Sequence, residues 1–467
     1  MTGPAPDALR PIEVAVNRAA SARPIPGNRV RLLLDGPGTY EVMLDLIARA
    51  GSTVHLENYI IRDDRTGWRF AQALAARARD GVRVRVLYDW LGSIGTGRGY
   101  WRFLREAGVD VRRFNAPHPL RIFANLSRNH RKVVIADGCR GVIGGQCIGD
   151  EWAGDPAHGV PPWRDTGVEI EGPAAAALDA AFAGTWRLAG PPLPPDEAGA
   201  ADPPACGDAE VRVVVGEPGR ERAYRTLEYL TAGSIARLWI TDAYLVPPPR
   251  LFQALVEAAR DGADIRLLVP GASDLPLVRN ITRVGYRNLL RAGIRIFEWA
   301  GPMLHAKTMV ADGRWARIGT SNLNASSLLG NYEIDVLIDD PGFARDLEAQ
   351  FARDLSRSFE VERRLLRGPR SLQRVMPSGL HRRPSGAALE LSQRRARREF
   401  RGRAAIAART LISAARRSIY VPVSIVLIIL GLLFLVLPRP MAYGFGLVCV
   451  WFALAAAAEA FRRRVDR

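Results

Sequence analysis

Two kinds of apolar spacing alternate along residues 28–366. Compact apolar runs, several of them alternating with Arg, predict strands at residues 29–34, 53–61 and 82–88. Spacing near 3.6 predicts helices at residues 40–50 and 68–79. Asp35-Gly36-Pro37-Gly38 is read as the turn that ends the first strand. The order then repeats, with strands at 211–215 and 238–245 and helices at 223–230 and 251–260. Asp261-Gly262-Ala263-Asp264-Ile265-Arg266-Leu267-Leu268 matches Asp80-Gly81-Val82-Arg83-Val84-Arg85-Val86-Leu87. A repeat at about 175 to 181 residues is a duplicated domain rather than a short-period solenoid. Strand–helix alternation predicts an α/β class, with two duplicated α/β domains and a site in the cleft between them.

Shifts in composition divide the rest. Residues 1–27, rich in Pro, Ala and Gly, are expected to be a flexible arm, and their start has no apolar run of the kind a signal peptide carries. The first domain is placed at 28–190, a Pro-rich linker at 191–207 and the second domain at 208–366. Residues 367–417 hold 14 Arg against two acids, Glu390 and Glu399. Two apolar stretches of bilayer-crossing length follow, 418–437 and 441–460, joined by Pro438-Arg439-Pro440, and a basic tail closes the chain at 461–467. Arg416 and Arg417 on one flank and Arg462 to Arg464 on the other predict a transmembrane hairpin in the cell inner membrane, with the two α/β domains cytoplasmic.

The formal charge of +17 calls for an anionic partner, an acidic membrane surface or nucleic acid. Four Cys without paired spacing indicate neither a disulfide framework nor a zinc site.

The candidate chemistry stands in two copies. His130-Arg131-Lys132 runs on to Asp137, and His305-Ala306-Lys307 runs on to Asp312; both read His-x-Lys-x-x-x-x-Asp and both are followed by Gly. Small-residue turns come next, Gly144-Gly145-Gln146-Cys147 and Gly319-Thr320-Ser321-Asn322. Of the 65 basic residues only Lys132 and Lys307 are Lys. Lys is a compact point charge and Arg a planar fork, so this choice fits a tight slot for phosphate oxygens.

These motifs, with Leu87-Tyr88-Asp89-Trp90-Leu91-Gly92-Ser93 in the first half and Asn331-Tyr332-Glu333 in the second, resemble the phospholipase D superfamily, and within it the bacterial cardiolipin synthases. The resemblance implies two phospholipase D-type domains, a phosphatidyltransferase, and phospholipid substrates such as phosphatidylglycerol. It assigns His130 to nucleophilic attack and His305 to proton transfer; the residues themselves are equally compatible with the reverse. Cys147 departs from the pattern, which has Asn or Ser there; a thiol is the weaker hydrogen-bonding group.

The residue types agree with that chemistry. A phosphodiester repels nucleophiles, so a site must offset its charge, attack phosphorus and protonate the leaving oxygen. One imidazole forms a covalent phospho-histidine. The other exchanges the proton. Lys132 and Lys307 hold the non-bridging oxygens. Asp137 and Asp312 complete the motifs and are counted among the catalytic residues, though each could do no more than hold its turn, and Asp165 and Glu333 are expected to orient the imidazoles. Cys147 and Asn322 are supporting residues. No cofactor and no metal are called for. Two other readings stay open: a phospholipase D-type phosphodiesterase (lipid hydrolase or nuclease), and an inactive membrane-surface scaffold. A bilayer hairpin would gain a nuclease little, which makes nucleic acid an unlikely partner.

Overall fold

The structure is a computed structural model, and it describes residues 6–116, 127–197, 202–362 and 451. The chain divides into two units, Met1–Pro377 and Ser378–Arg467, and the account below is of the first. The expected hairpin at 418–460 and the Arg-rich segment at 367–417 lie outside the described residues, among which no helix is long and apolar enough to cross a membrane.

In the first half, α1 (Pro6–Ala20) and β1 (Ile25–Leu34) lead into α2 (Asp35–Arg49), β2 (Thr53–Asn58), α3 (Arg65–Arg79) and β3 (Arg83–Asp89). Then come α4 (Arg98–Glu106), β4 (Asp110–Phe114), β5 (Lys132–Ala136), β6 (Arg140–Gly144), the short α5 (Asp150–Ala153), β7 (Thr166–Glu171) and α6 (Pro173–Trp186). The second half holds β8 (Ala209–Gly216), α7 (Arg222–Ala232), β9 (Arg237–Thr241), α8 (Pro249–Arg260), β10 (Asp264–Pro270) and α9 (Pro276–Arg291). It closes with β11 (Arg295–Trp299), β12 (Thr308–Ala311), β13 (Trp315–Gly319), β14 (Glu333–Asp339), α10 (Pro341–Ser356) and β15 (Ser358–Glu360).

The described strands all join one 15-stranded sheet, in the order β15-β11-β10-β9-β12-β13-β14-β8-β1-β7-β6-β5-β2-β3-β4. The order is nearly a palindrome about the β8–β1 junction, where Ile25 pairs with Val211 and Asn28 with Ala209 in antiparallel register. The strands run from half to half without a break. The central strands are apolar on both faces, which is why β5 reads as an unbroken run: Val134 and Ala136 pack with α2 and α3, while Val133 and Ile135 pack beneath α6. The α6 core also takes in Phe343, Ala344 and Leu347 of α10, so one apolar layer backs both halves.

Three local expectations are revised. The N-terminal stretch is not a loose arm throughout: α1 occupies it, and Val16 and Ala20 enter the core with Tyr224 and Leu227 of α7, burial that offsets the cost of ordering the segment. Asp35-Gly36-Pro37-Gly38 is not a separate turn but the first turn of α2, where the N–H that Pro37 lacks would have had no helical partner in any case. Asp35 takes a φ of 55° to make the change of direction. The linker stretch is pinned at its start, since Glu197 is buried and accepts from Arg85 Nε at 2.6 Å.

Candidate active site

Each motif lies on a strand with its His and Lys at one end and its Asp at the other. Lys132 opens β5 and Asp137 follows its last residue; Lys307 precedes β12 and Asp312 follows it. Five residues of strand span roughly 16 Å, so Asp137 and Asp312 do not join the imidazoles. They sit in tight turns, with φ of 55° and 53°. The following glycines share the positive φ, at 63° and 68°, and these left-handed pairs form the centres of the turns closed by Cys139 N to Ala136 O and Arg314 N to Ala311 O, each at 3.1 Å. The Asp137 carboxylate accepts from the backbone N–H groups of Gly51, Ser52 and Thr53 at 2.7–2.8 Å, and Asp312 accepts from those of Ile235, Ala236 and Arg237 at 2.8–2.9 Å. Each aspartate thus fastens the start of the neighbouring strand, β2 or β9. Burial pushes the Asp137 carboxyl up, but the donors from Gly51, Thr53 and Ser52 outweigh it and hold the pKa below its usual value.

At the other end the two halves exchange partners. His130 Nδ1 meets Glu333 Oε2 at 3.0 Å, and His305 Nδ1 meets Asp165 Oδ2 at 2.8 Å. The carboxylate that orients each imidazole comes from the opposite half. The backbone crosses in the same way, since His130 N donates to Tyr332 O at 2.9 Å and His305 N to Arg164 O at 2.7 Å. These bonds belong to two short parallel bridges, Asn129 with Tyr332 and Arg164 with Leu304. A carboxylate at Nδ1 leaves Nε2 to face the site.

Both carboxylates are fully buried and ordered by further donors. Glu333 accepts from Thr320 Oγ1 at 2.6 Å and from Ser327 Oγ; Asp165 accepts from Trp152 Nε1 at 3.1 Å and Thr166 N at 2.8 Å. For both, burial pushes the pKa up, but the paired imidazole and the nearby lysine bring it below the usual value. Gly145 stands against Asp165: a Cβ there would come within 2.2 Å of Oδ1, so the turn admits no side chain.

The pKa of each imidazole is held below its ordinary value. Burial lowers the pKa of both, opposed at His130 by Glu333 and reinforced at His305 by Lys307, so that His305 falls to about 4. Lys132 and Lys307 are wholly buried, and each ammonium donates to the carbonyl of its own motif His, Lys132 Nζ at 2.5 Å. Burial, with Lys132 close by, lowers the Lys307 pKa to about 8. Cys147 is buried among these groups, and burial raises its thiol pKa against the pull of Lys132 and Lys307. Asn322 is buried too, and its Oδ1 has no partner within the protein.

Several neighbours escaped the sequence reading. Tyr59 packs edge-on to His130 at 4.9 Å with Lys132 Nζ 5.4 Å from its ring, and Tyr244 stands 6.1 Å from His305 with Lys307 Nζ 5.9 Å away. Both tyrosines come just after the second strand of their half, a repetition the element order would have disclosed. His305 has a more aromatic setting than His130, with Trp152 at 5.4 Å and Trp163 at 5.8 Å. Asp242, near Lys307, is buried, and that burial raises its pKa to about 6. Asp89, at the end of β3, accepts from Asn129 N at 2.9 Å and so steadies the approach to His130. Arg131, between the two motif residues, is buried and donates to Glu333 O at 3.1 Å and Ala181 O at 2.9 Å. Among the described residues no group of three or more His, Cys, Asp or Glu is placed to hold a metal ion.

Comparison with known proteins gives a consistent result. Residues 43–150 and 230–355 match the family model described as "Cardiolipin synthase, PLD-like domain". Cardiolipin synthase A of Pseudomonas aeruginosa is 35% identical over 366 residues, covering 77% of this chain and 74% of that protein. Cardiolipin synthase A of Pseudomonas fluorescens is 33% identical over 353 residues, covering 74% and 73%. The fold is similar to that of a phosphatidylserine synthase from Haemophilus influenzae, with a TM-score of 0.59 at 14% identity, covering 75% of this chain and 92% of that one.

Proposed function

The chain belongs to the cardiolipin synthase family of phospholipase D-like proteins, and from that premise we propose that it moves a phosphatidyl group from one phospholipid to an alcohol of another, forming cardiolipin or a close relative. The observation that carries this reading is the crossed pairing of His130 with Glu333 and His305 with Asp165, which gives two oriented imidazoles beside two buried ammonium groups.

The mechanism follows from those groups. The donor phosphodiester lies with its non-bridging oxygens against Lys132 and Lys307, whose charges oppose the build-up of negative charge at phosphorus. Glu333 keeps the proton on His130 Nδ1, so Nε2 presents a lone pair and attacks phosphorus. The phosphorus–oxygen bond to the donor's leaving alcohol breaks, and that oxygen takes a proton from His305. The bound anion offsets the two ammonium charges that disfavour imidazolium, so His305 regains its proton as substrate enters. In the second half-reaction His305 takes the proton of the incoming hydroxyl, whose oxygen displaces His130. Asp165 stabilises the imidazolium at each stage. Asn322 Oδ1, buried without a protein partner, is available to accept from the incoming hydroxyl.

Residues 418–437 and 441–460 are assigned as a membrane hairpin with basic flanks on the cytoplasmic side of the inner membrane, which keeps the site beside its lipid supply. The decisive experiment incubates purified protein with phosphatidylglycerol in mixed micelles, with and without phosphatidylethanolamine, and identifies the products by mass. Diphosphatidylglycerol supports the reading. Phosphatidic acid alone would make the protein a hydrolase, and no product would make it a scaffold.

A further inference from the structure

The sheet edge that carries the imidazoles also carries most of the large apolar side chains that the catalytic unit leaves in water. Asn58 pairs with both Lys132 and Tyr88, so the start of β5 and the end of β3 share that edge. Thr241 pairs in the same way with Thr308 and Leu268 in the second half. The loops that leave β3 and β10 therefore open beside the site. The first exposes Leu91 and Ile94, and the segment leading to Asp165 exposes Val160. The second leads into α9, where Leu277, Ile281 and Val284 are 72%, 47% and 80% exposed. Spacings of four and three residues put these three on one stripe of the helix.

Single exposed aliphatic residues need no explanation, but a stripe at the mouth of a site does. Helix α9 has 16 residues where its counterpart α4 has nine. It contains four Arg and no acidic residue, and of these Arg283 is tied to Glu298 while Arg287 stands exposed. Aliphatic residues beside Arg are the composition of a helix that lies in a lipid interface. The segment before α9 reaches into the site, because Tyr244 Oη donates to Asp274 at 2.8 Å and the same ring adjoins His305.

We propose that the α9 stripe, with Leu91, Ile94 and Val160 across the opening, seats the catalytic unit directly on an anionic phospholipid bilayer. The occupant follows from position. A protein covering both rims would close the route to the imidazoles, whereas a bilayer covering them delivers the substrate. The Arg side chains on α9, with no acidic residue in the helix, suit an anionic headgroup layer. The proposal rests on the lipid-transfer reading and adds to it a contact separate from the C-terminal hairpin.

The test uses the full chain with an environment-sensitive fluorescent residue in place of Val284, and a second protein with the same probe in place of Ile235. Ile235 is also apolar and exposed but lies at the opposite end of the strands, where its N–H meets Asp312. Phosphatidylglycerol vesicles with brominated acyl chains should quench the probe at 284 and spare the one at 235. No quenching at 284, or equal quenching at both, overturns the proposal. So does a probe at 284 that is already shielded before vesicles are added, which would mean that a second copy or residues 363–467 cover the stripe.

The triple variant Leu277→Gln, Ile281→Gln, Val284→Gln keeps good helix formers at exposed positions. It should turn over monomeric short-chain phosphatidylglycerol within about twofold of the parent and vesicles about tenfold more slowly. An unchanged vesicle rate, or equal losses on both substrates, overturns the seat. Quenching needs no turnover, so a protein that docks through α9 yet transfers no lipid would refute the transfer reading and leave the seat standing.

Discussion

His130 and Glu333 are separated by 203 residues in sequence and meet at 3.0 Å between Nδ1 and Oε2. With the matching contact of His305 and Asp165, this makes neither half of the molecule a complete site. An isolated half would hold its imidazole without the carboxylate that pairs with it.

The crossing can be tested by ring titration. Glu333→Gln keeps the shape of the side chain and removes the charge that raises the His130 pKa. The His130 pKa should fall further while that of His305 is nearly unmoved, and Asp165→Asn should do the converse. Turnover should drop by up to about 10⁴, the loss caused by the same carboxylate-to-amide change in a serine-protease triad. A response at the wrong histidine, read by NMR, would exclude the crossed pairs.

Asp137 is expected to matter for stability and not for chemistry. Asp137→Ala removes the acceptor for three backbone N–H groups and should cost about 1–3 kcal/mol in chemical denaturation, with kcat within a few-fold of the parent. The carboxyl pKa is depressed in the folded state, so its contribution is present above the unfolded value and is lost as pH falls through the folded one. The stability gap between parent and variant should therefore close on acidification below about pH 4. A variant as stable as the parent but without turnover would return Asp137 to the chemistry.

The Lys307 ammonium, lowered to about 8, should set an alkaline limit. The value of kcat/KM should decline above about pH 8 as the amine loses the proton that offsets phosphate charge. Lys307→Arg stays charged and should lack that limb. Its rate should nonetheless be low throughout, because a planar guanidinium does not fit a slot shaped for a point charge. A rate near that of the parent across pH 5–10 would remove the argument from lysine usage.

Arg131 is buried, with its guanidinium donating to carbonyls of both halves, Ala181 O and Glu333 O. Arg131→Met leaves those acceptors and the nearby buried Glu57 without their cation, and should destabilise the protein by about 3–5 kcal/mol. Activity per folded molecule should fall as well, because the Glu333 backbone is released. Thermal unfolding and turnover measured together will show whether both effects appear.

Truncation after Leu366 removes the Arg-rich segment and both apolar stretches and keeps both motifs. The shortened protein should remain active on short-chain soluble phospholipid and move to the soluble fraction. On vesicles it should retain only the part that α9 supplies, and that part should weaken with salt. Full bilayer activity after truncation would deny the hairpin its anchoring role.

The sequence by itself marked the α/β alternation, the repeat of its order in two halves, and the two motifs to whose His and Lys the chemistry is here assigned. Each of these is a local signal: apolar spacing within a window, a motif of eight residues, or the use of Lys at two places among 65 basic positions. It also marked Asp165 and Glu333 as carboxylates placed after their motifs. Which imidazole each one serves was beyond it, because that depends on the bridges Asn129–Tyr332 and Arg164–Leu304, which join residues distant in the chain. Tertiary structure likewise separated Asp137 and Asp312 from the site, since a strand holds its two ends apart however close they are in a motif. It turned the Pro- and Ala-rich start into α1, because Val16 and Ala20 find an apolar surface on α7 that no local pattern reveals. Spacing along a chain specifies which elements form and what they carry; which side chains meet is decided by the pairing of strands and the burial that follows from it.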